Sequence, residues 1–113
     1  MDALIPDNQA HIYRLSGDYN PLHIDPESAK FGGFDEPILH GLCTFGHCGQ
    51  LLLQKLCGGE VARFRKIRVR FSSPVMLGDT LSIRAWEDGP GRVIFDASVN
   101  EKQVVSNAYF EYV

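Results

Sequence analysis

The spacing of apolar residues changes period once along the chain. Up to Glu60 they recur at helical spacings; beyond it they fall on every second position. From His40 onward, Leu42, Phe45, Gly49, Leu52, Leu53 and Leu56 lie three and four apart, which predicts a long helix with one apolar stripe. Gly58-Gly59 supply its stop. Ile67, Val69 and Phe71 then alternate with Lys66, Arg68 and Arg70, and Leu81, Ile83 and Ala85 with Thr80, Ser82 and Arg84. Val93, Phe95, Ala97 and Val99 mark a third strand, and residues 103–112 a fourth, turned back at Asn100-Glu101-Lys102. Residues 87–91 read as a hairpin loop. One long helix followed by four such strands predicts an α+β fold, an antiparallel meander wrapped round the helix.

The stretch before the helix is irregular. Residues 9–15 suit one or two helical turns ahead of the break at Ser16-Gly17-Asp18. Asn20-Pro21 forces a turn, since Pro disfavours helical geometry in the residue before it. Asp25 as N-cap and Pro26 at the first helical position predict a short helix ending at Gly32-Gly33, and residues 34–38 a loop. Gly41, Gly46 and Gly49 each cost about 1 kcal/mol relative to Ala inside a helix. Their presence predicts close approach of other backbone, or of a ligand.

A chain of 113 residues holds one domain, taken as residues 1–113. With 44% hydrophobic and 22% charged residues it has the composition of a folded protein. Its apolar runs are too short for a membrane helix, and residues 1–10 lack a signal-peptide pattern. A net charge of -3 argues against nucleic acid as a partner. The expectation is an intracellular protein that binds neither membrane nor nucleic acid. Cys43, Cys48 and Cys57 are odd in number and lack a C-x-x-C pair, which fits neither a disulfide scaffold nor structural zinc. They read as small core residues, with a redox or nucleophilic role as the alternative.

Functional side chains are densest in Ser16-Gly17-Asp18-Tyr19-Asn20-Pro21-Leu22-His23. On a bent loop Asp18 and His23 can point at one small volume and hold a water between them, an arrangement suited to general acid–base catalysis. The competing reading is that Asp18 and Asn20 cap a turn and His23 is a buried, hydrogen-bonded ring. His40-Gly41 opens the long helix, whose first N–H groups have no intrahelical partner. The Gly41 N–H, aided by the helix dipole, can hold a developing negative charge on a carbonyl oxygen. The alternative is a tight bend that needs a glycine. His40 reads as a packed, hydrogen-bonded residue.

The run Tyr13-Arg-Leu-Ser-Gly-Asp-Tyr-Asn-Pro-Leu-His-Ile-Asp-Pro, followed by Pro37-Ile-Leu-His-Gly-Leu-Cys-Thr-Phe-Gly, strongly resembles the MaoC-like (R)-specific enoyl-CoA hydratases. Within them it is most like the catalytic half of the hydratase segment of eukaryotic peroxisomal multifunctional enzymes. The likeness extends to Arg63-Phe64, Phe71-x-x-Pro-Val and Ser106-Asn107-Ala108-Tyr109. It implies a hot-dog fold and reversible addition of water to a trans-2-enoyl-CoA, giving a (3R)-3-hydroxyacyl-CoA. By position it implies Asp18 and His23 as the pair gripping the water, Asn20 as a brace of the loop, and Gly41 N–H as the thioester-oxygen donor. Tyr19, Pro21, Leu22, Phe71 and Arg68 become candidates for substrate contact, with Arg68 in a basic run (Lys66, Arg68, Arg70) that can meet the CoA phosphates. CoA enters as part of the substrate; no separate cofactor and no metal are expected.

The resemblance also implies a homodimer, or pairing with a second hot-dog domain, and a peroxisomal location (cytoplasmic for a bacterial protein). The alternatives in function are a non-catalytic thioester-binding subunit that completes a partner's site, or a dehydratase on another acyl thioester. Relatives carry more chain ahead of the catalytic loop, so with only residues 1–8 there the expectation includes a fragment or a missing N-terminal strand.

Overall fold

The computed structural model describes residues 1–113. Its helices are α1 (Gln9–Tyr13), α2 (Pro26–Phe31) and α3 (Gly41–Cys57), and its strands β1 (Asp2–Leu4), β2 (Phe64–Phe71), β3 (Thr80–Glu87), β4 (Arg92–Val99) and β5 (Lys102–Tyr112). The helix ends follow the local chemistry expected of them. The Asp25 carboxylate accepts from Glu27 N–H, Pro26 opens α2, and Gly58 closes α3 in the left-handed conformation. At the β4–β5 turn, Asn100 and Glu101 both take positive φ, as a two-residue hairpin turn demands.

All five strands form one antiparallel sheet in the order β1-β3-β4-β5-β2. The sheet is therefore not the simple meander expected from the sequence. β2 does not lie beside β3 but pairs with β5 at the far side, Ile67 opposite Phe110 and Phe71 opposite Val105. A period of two fixes which face a strand buries and is silent on its neighbour. The segment between β2 and β3 crosses the domain and is tied down on the way, where Leu39 N–H donates to Val75 C=O. Asp2–Leu4 supply a three-residue edge strand on β3. In β5, Asn107 takes φ 47° at a bulge, where the pairing of Phe95 with Ala108 gives way to that of Ala97 with Val105.

Helix α3 lies against one face of this sheet, the hot-dog arrangement. A single core joins Cys43, Cys48, Leu52 and Cys57 of α3 to Leu81, Ile83, Val93, Phe95, Val105 and Phe110 of the sheet. The buried line of α3 is thus offset from the leucine stripe read in the sequence. Leu42 is 66% exposed, and Phe45, Leu53 and Leu56 are half-buried flanks. Cysteine is smaller than leucine, and its place at the centre of the contact lets the helix approach the sheet closely. Burial raises the Cys43 thiol pKa and pushes that of Cys48 up to about 12, the behaviour of inert core thiols. The helical glycines do not meet other backbone: Gly46 faces open space and Gly49 faces only the Ile67 side chain.

Candidate active site

The loop from Gly17 to His23 is built by its own side chains. Gly17 adopts φ 117°, a conformation that L side chains rarely take, and so turns the chain after the 3₁₀ turn Arg14–Ser16. Asp18 Oδ1 accepts from Asn20 N–H at 3.2 Å, and Asn20 Oδ1 accepts from Leu22 N–H at 3.0 Å. Asn20 thereby braces the loop in both directions and caps the 3₁₀ turn Pro21–His23. Turn-capping and functional readings of Asp18 and Asn20 coexist: the caps leave Asp18 exposed and place His23, 8% exposed, at the end of the turn.

Two histidines face each other below this loop. His23 donates from Nδ1 to the Ile38 carbonyl at 2.8 Å, which leaves Nε2 of the neutral ring with its lone pair free. His40, 2% exposed, donates from Nε2 to the backbone carbonyl of Asp18 at 3.3 Å. The two rings stack with centroids 3.8 Å apart, and the Tyr13 ring packs tilted against that of His40 at 4.7 Å. A carboxylate oxygen of Asp18 and one ring nitrogen from each histidine lie within 4.8 Å of one another. Burial lowers the pKa of His40, and the charge of His23 lowers it further; the bond to Asp18 opposes both.

These three residues are also the cluster able to approach a metal ion. Stacked at 27°, however, the rings hold their lone pairs in nearly parallel planes. An ion bound in the plane of one ring at a bond of about 2 Å cannot also lie in the plane of the other.

Gly41 is the first residue of α3, where no preceding turn offers a carbonyl, and its N–H has no acceptor within the protein; the first bonded amides of the helix are those of Cys43 and Thr44, which go to the His40 carbonyl. His23, Gly41, Thr44 and Phe71 line a cleft of about 340 Å³ together with Ser72, Ser73, Pro74 and Val75; Asp18 is not among its lining residues and meets it only through His23. The Phe71 ring lies beside Gly41, 3.5 Å from where a Cβ would stand.

The remaining sequence candidates are placed differently. Tyr19 is exposed, with the Arg14 guanidinium 5.7 Å from its ring centroid. Pro21 opens the turn, and Leu22 packs toward Gly32, the C-cap of α2, so neither lines the cleft. Arg68 is not brought to the cleft. It sits between Ile67 and Val69, which pack on the core, and so projects from the opposite sheet face, where it stands opposite Tyr109 in the register. Residues the sequence reading left unassigned include the Ile38 carbonyl, Thr44 and the two serines. Backbone carbonyls and small polar residues carry no sequence signal of their own; Pro74-Val75 do fall within the Phe71-x-x-Pro-Val run.

Residues 2–109 match the family model described as MaoC like domain. The chain belongs to that family. Over 118 aligned residues it is 49% identical to the peroxisomal multifunctional enzyme type 2 of Mus musculus, covering 99% of this chain and 16% of the mouse protein. The crystal structure of a MaoC-like dehydratase from Phytophthora capsici superposes with a TM-score of 0.96 at 50% identity, covering 100% of this chain and 40% of that one. An R-hydratase from Pseudomonas aeruginosa superposes with a TM-score of 0.79 at 27% identity, covering 99% of this chain and 76% of that one. The chain thus spans well under half of the first two relatives.

Proposed function

We propose that this chain is an (R)-specific enoyl-CoA hydratase, adding water to a trans-2-enoyl-CoA to give the (3R)-3-hydroxyacyl-CoA. The observation that carries the reading is the convergence of three groups: the Asp18 carboxylate within 4.8 Å of a His23 ring nitrogen, and an unsatisfied Gly41 N–H in the cleft that His23 lines. The names of the relatives, which include a multifunctional enzyme, a dehydratase and an R-hydratase, support the same chemistry.

In this mechanism a water sits between Asp18 and His23. It loses one proton to the pair as its oxygen bonds to the β-carbon, and the pair delivers one proton to the α-carbon, so the site returns to its starting protonation. Negative charge gathers on the thioester oxygen in between, and the Gly41 N–H at the positive end of α3 stabilises it. One such donor is worth on the order of 3 kcal/mol. The steps need no metal and no cofactor beyond the CoA of the substrate. A merely thioester-binding subunit has no use for the acid–base pair.

The functional unit is a pair of hot-dog domains, either two copies of this chain or this chain with a second domain. β2 pairs with β5 on one side only, leaving an eight-residue open edge that invites another strand. A peroxisomal location is proposed on the mouse relative's name. No helix is long and apolar enough to cross a membrane.

Incubation of the purified chain with trans-2-enoyl-CoA should consume the enoyl thioester, and chiral analysis should return the (3R)-alcohol. Light scattering on the same sample should show an active dimer if two copies form the unit, and an inactive monomer if a second domain completes it. An active monomer would contradict the pairing, and a (3S) product would contradict the hydratase assignment.

A further inference from the structure

We infer that His40 is a positioning residue for the Asp18–His23 pair, acting through the hydrogen bond from its Nε2 to the Asp18 carbonyl, a role whose kinetic consequence rests on the hydratase reading. His40 occupies the N-cap of α3 yet makes no side-chain capping bond. Ser, Thr, Asp or Asn would serve a cap better. Its side chain instead reaches a carbonyl 22 residues earlier. Every other hydrogen bond of residues 17–20 stays within the loop and the turns flanking it; the bond from His40 alone ties this stretch to a distant part of the chain.

The tie has a particular anchor. Ile38 holds His23 through its carbonyl, His40 holds Asp18 through Nε2, and Gly41 presents the free amide. One four-residue segment, 38–41, therefore indexes all three groups of the site to each other. Donation from Nε2 to a carbonyl fixes the tautomer of His40, leaving Nδ1 unprotonated, and that atom is buried without a partner. A second proton there would create a buried N–H with no acceptor, stacked on His23. Tyr13 from α1, Asp18 from the loop and His23 from the turn are the titratable groups packed against the ring. A neutral His40 lets His23 take up a proton during turnover without a second cation against its face.

Two variants separate positioning from filling of space. His40→Phe keeps a ring against His23 and loses the donor; His40→Gln keeps an N–H for the Asp18 carbonyl and loses the ring. A positioning role makes Gln the better substitute. His40→Phe should lower kcat about 100-fold, the scale of a misplaced reacting group, with KM within about threefold, while His40→Gln recovers to within about tenfold of the parent. Nitrogen NMR of the unsubstituted chain should show His40 as the neutral Nε2–H tautomer at pH 7. Amide exchange at residues 17–20 should quicken in His40→Phe and slow again in His40→Gln. Phe matching the parent, Phe outperforming Gln, or an Nδ1–H or doubly protonated His40 would each overturn the inference. Should the unsubstituted chain hydrate no enoyl-CoA, the hydratase reading fails by itself, and the NMR and exchange results decide on His40 without it.

Discussion

Asp18→Asn and His23→Ala are each expected to cut the hydration rate by about 100-fold or more while the fold stays intact. Asparagine keeps a carbonyl oxygen that can accept from Asn20 N–H, so the loop retains its internal bond and loses only the charge and the basicity. His23→Ala removes the donor to Ile38, leaving a part-buried carbonyl unpaired at a cost of about 1–3 kcal/mol. A domain with about 5–15 kcal/mol of stability tolerates that loss. The two changes should not add. If the residues act on one water, the double variant should be little slower than the worse single one. Steady-state kinetics beside circular dichroism read both points, and full activity in either single variant would contradict the assignment.

Phe110→Ala should be the most damaging change to stability, lowering it by about 3–5 kcal/mol. Phe110 is fully buried on β5, which is paired on both sides, by β4 and β2. Its ring packs at 5.5 Å from that of Phe64 and 6.1 Å from that of Tyr112, so truncation opens a cavity between strands already fixed by their ladders. The neighbours cannot collapse into it without breaking backbone pairing. Urea titration should show a midpoint shift at nearly constant slope. A loss under about 1 kcal/mol would mean that the site repacks, and that the sheet is softer than its pairing indicates.

Much of this architecture was legible because the signals are local. Asp25-Pro26, Gly58 and the alternation in β3, β4 and β5 each act within a few residues, and the Asp18-to-His23 loop carries its own braces. Strand order was not legible, since β2 and β5 meet across more than thirty residues of chain and nothing in either strand names its partner. The sequence points to the wrong helix face because leucine outweighs cysteine in hydrophobicity, whereas space at the sheet selects the smaller residue. The charge of Arg68 suggests a place near the substrate phosphates, whereas its position between two core-packed residues puts it on the sheet face away from the cleft. His40 is packed and hydrogen-bonded, as its place at the helix start indicates. What it bonds lies in a loop that sequence alone does not bring near.

The placement of Asp18 and His23 about one water has a stereochemical signature. When both the hydroxyl and the proton come from that water site, they reach the same face of the double bond. Hydration of a trans-2-enoyl-CoA in D₂O should therefore place deuterium and hydroxyl syn, giving a single diastereomer of the (3R)-alcohol by proton NMR coupling. Anti addition, or deuterium scrambled over both α-positions, would contradict a site in which Asp18, His23 and Gly41 act together.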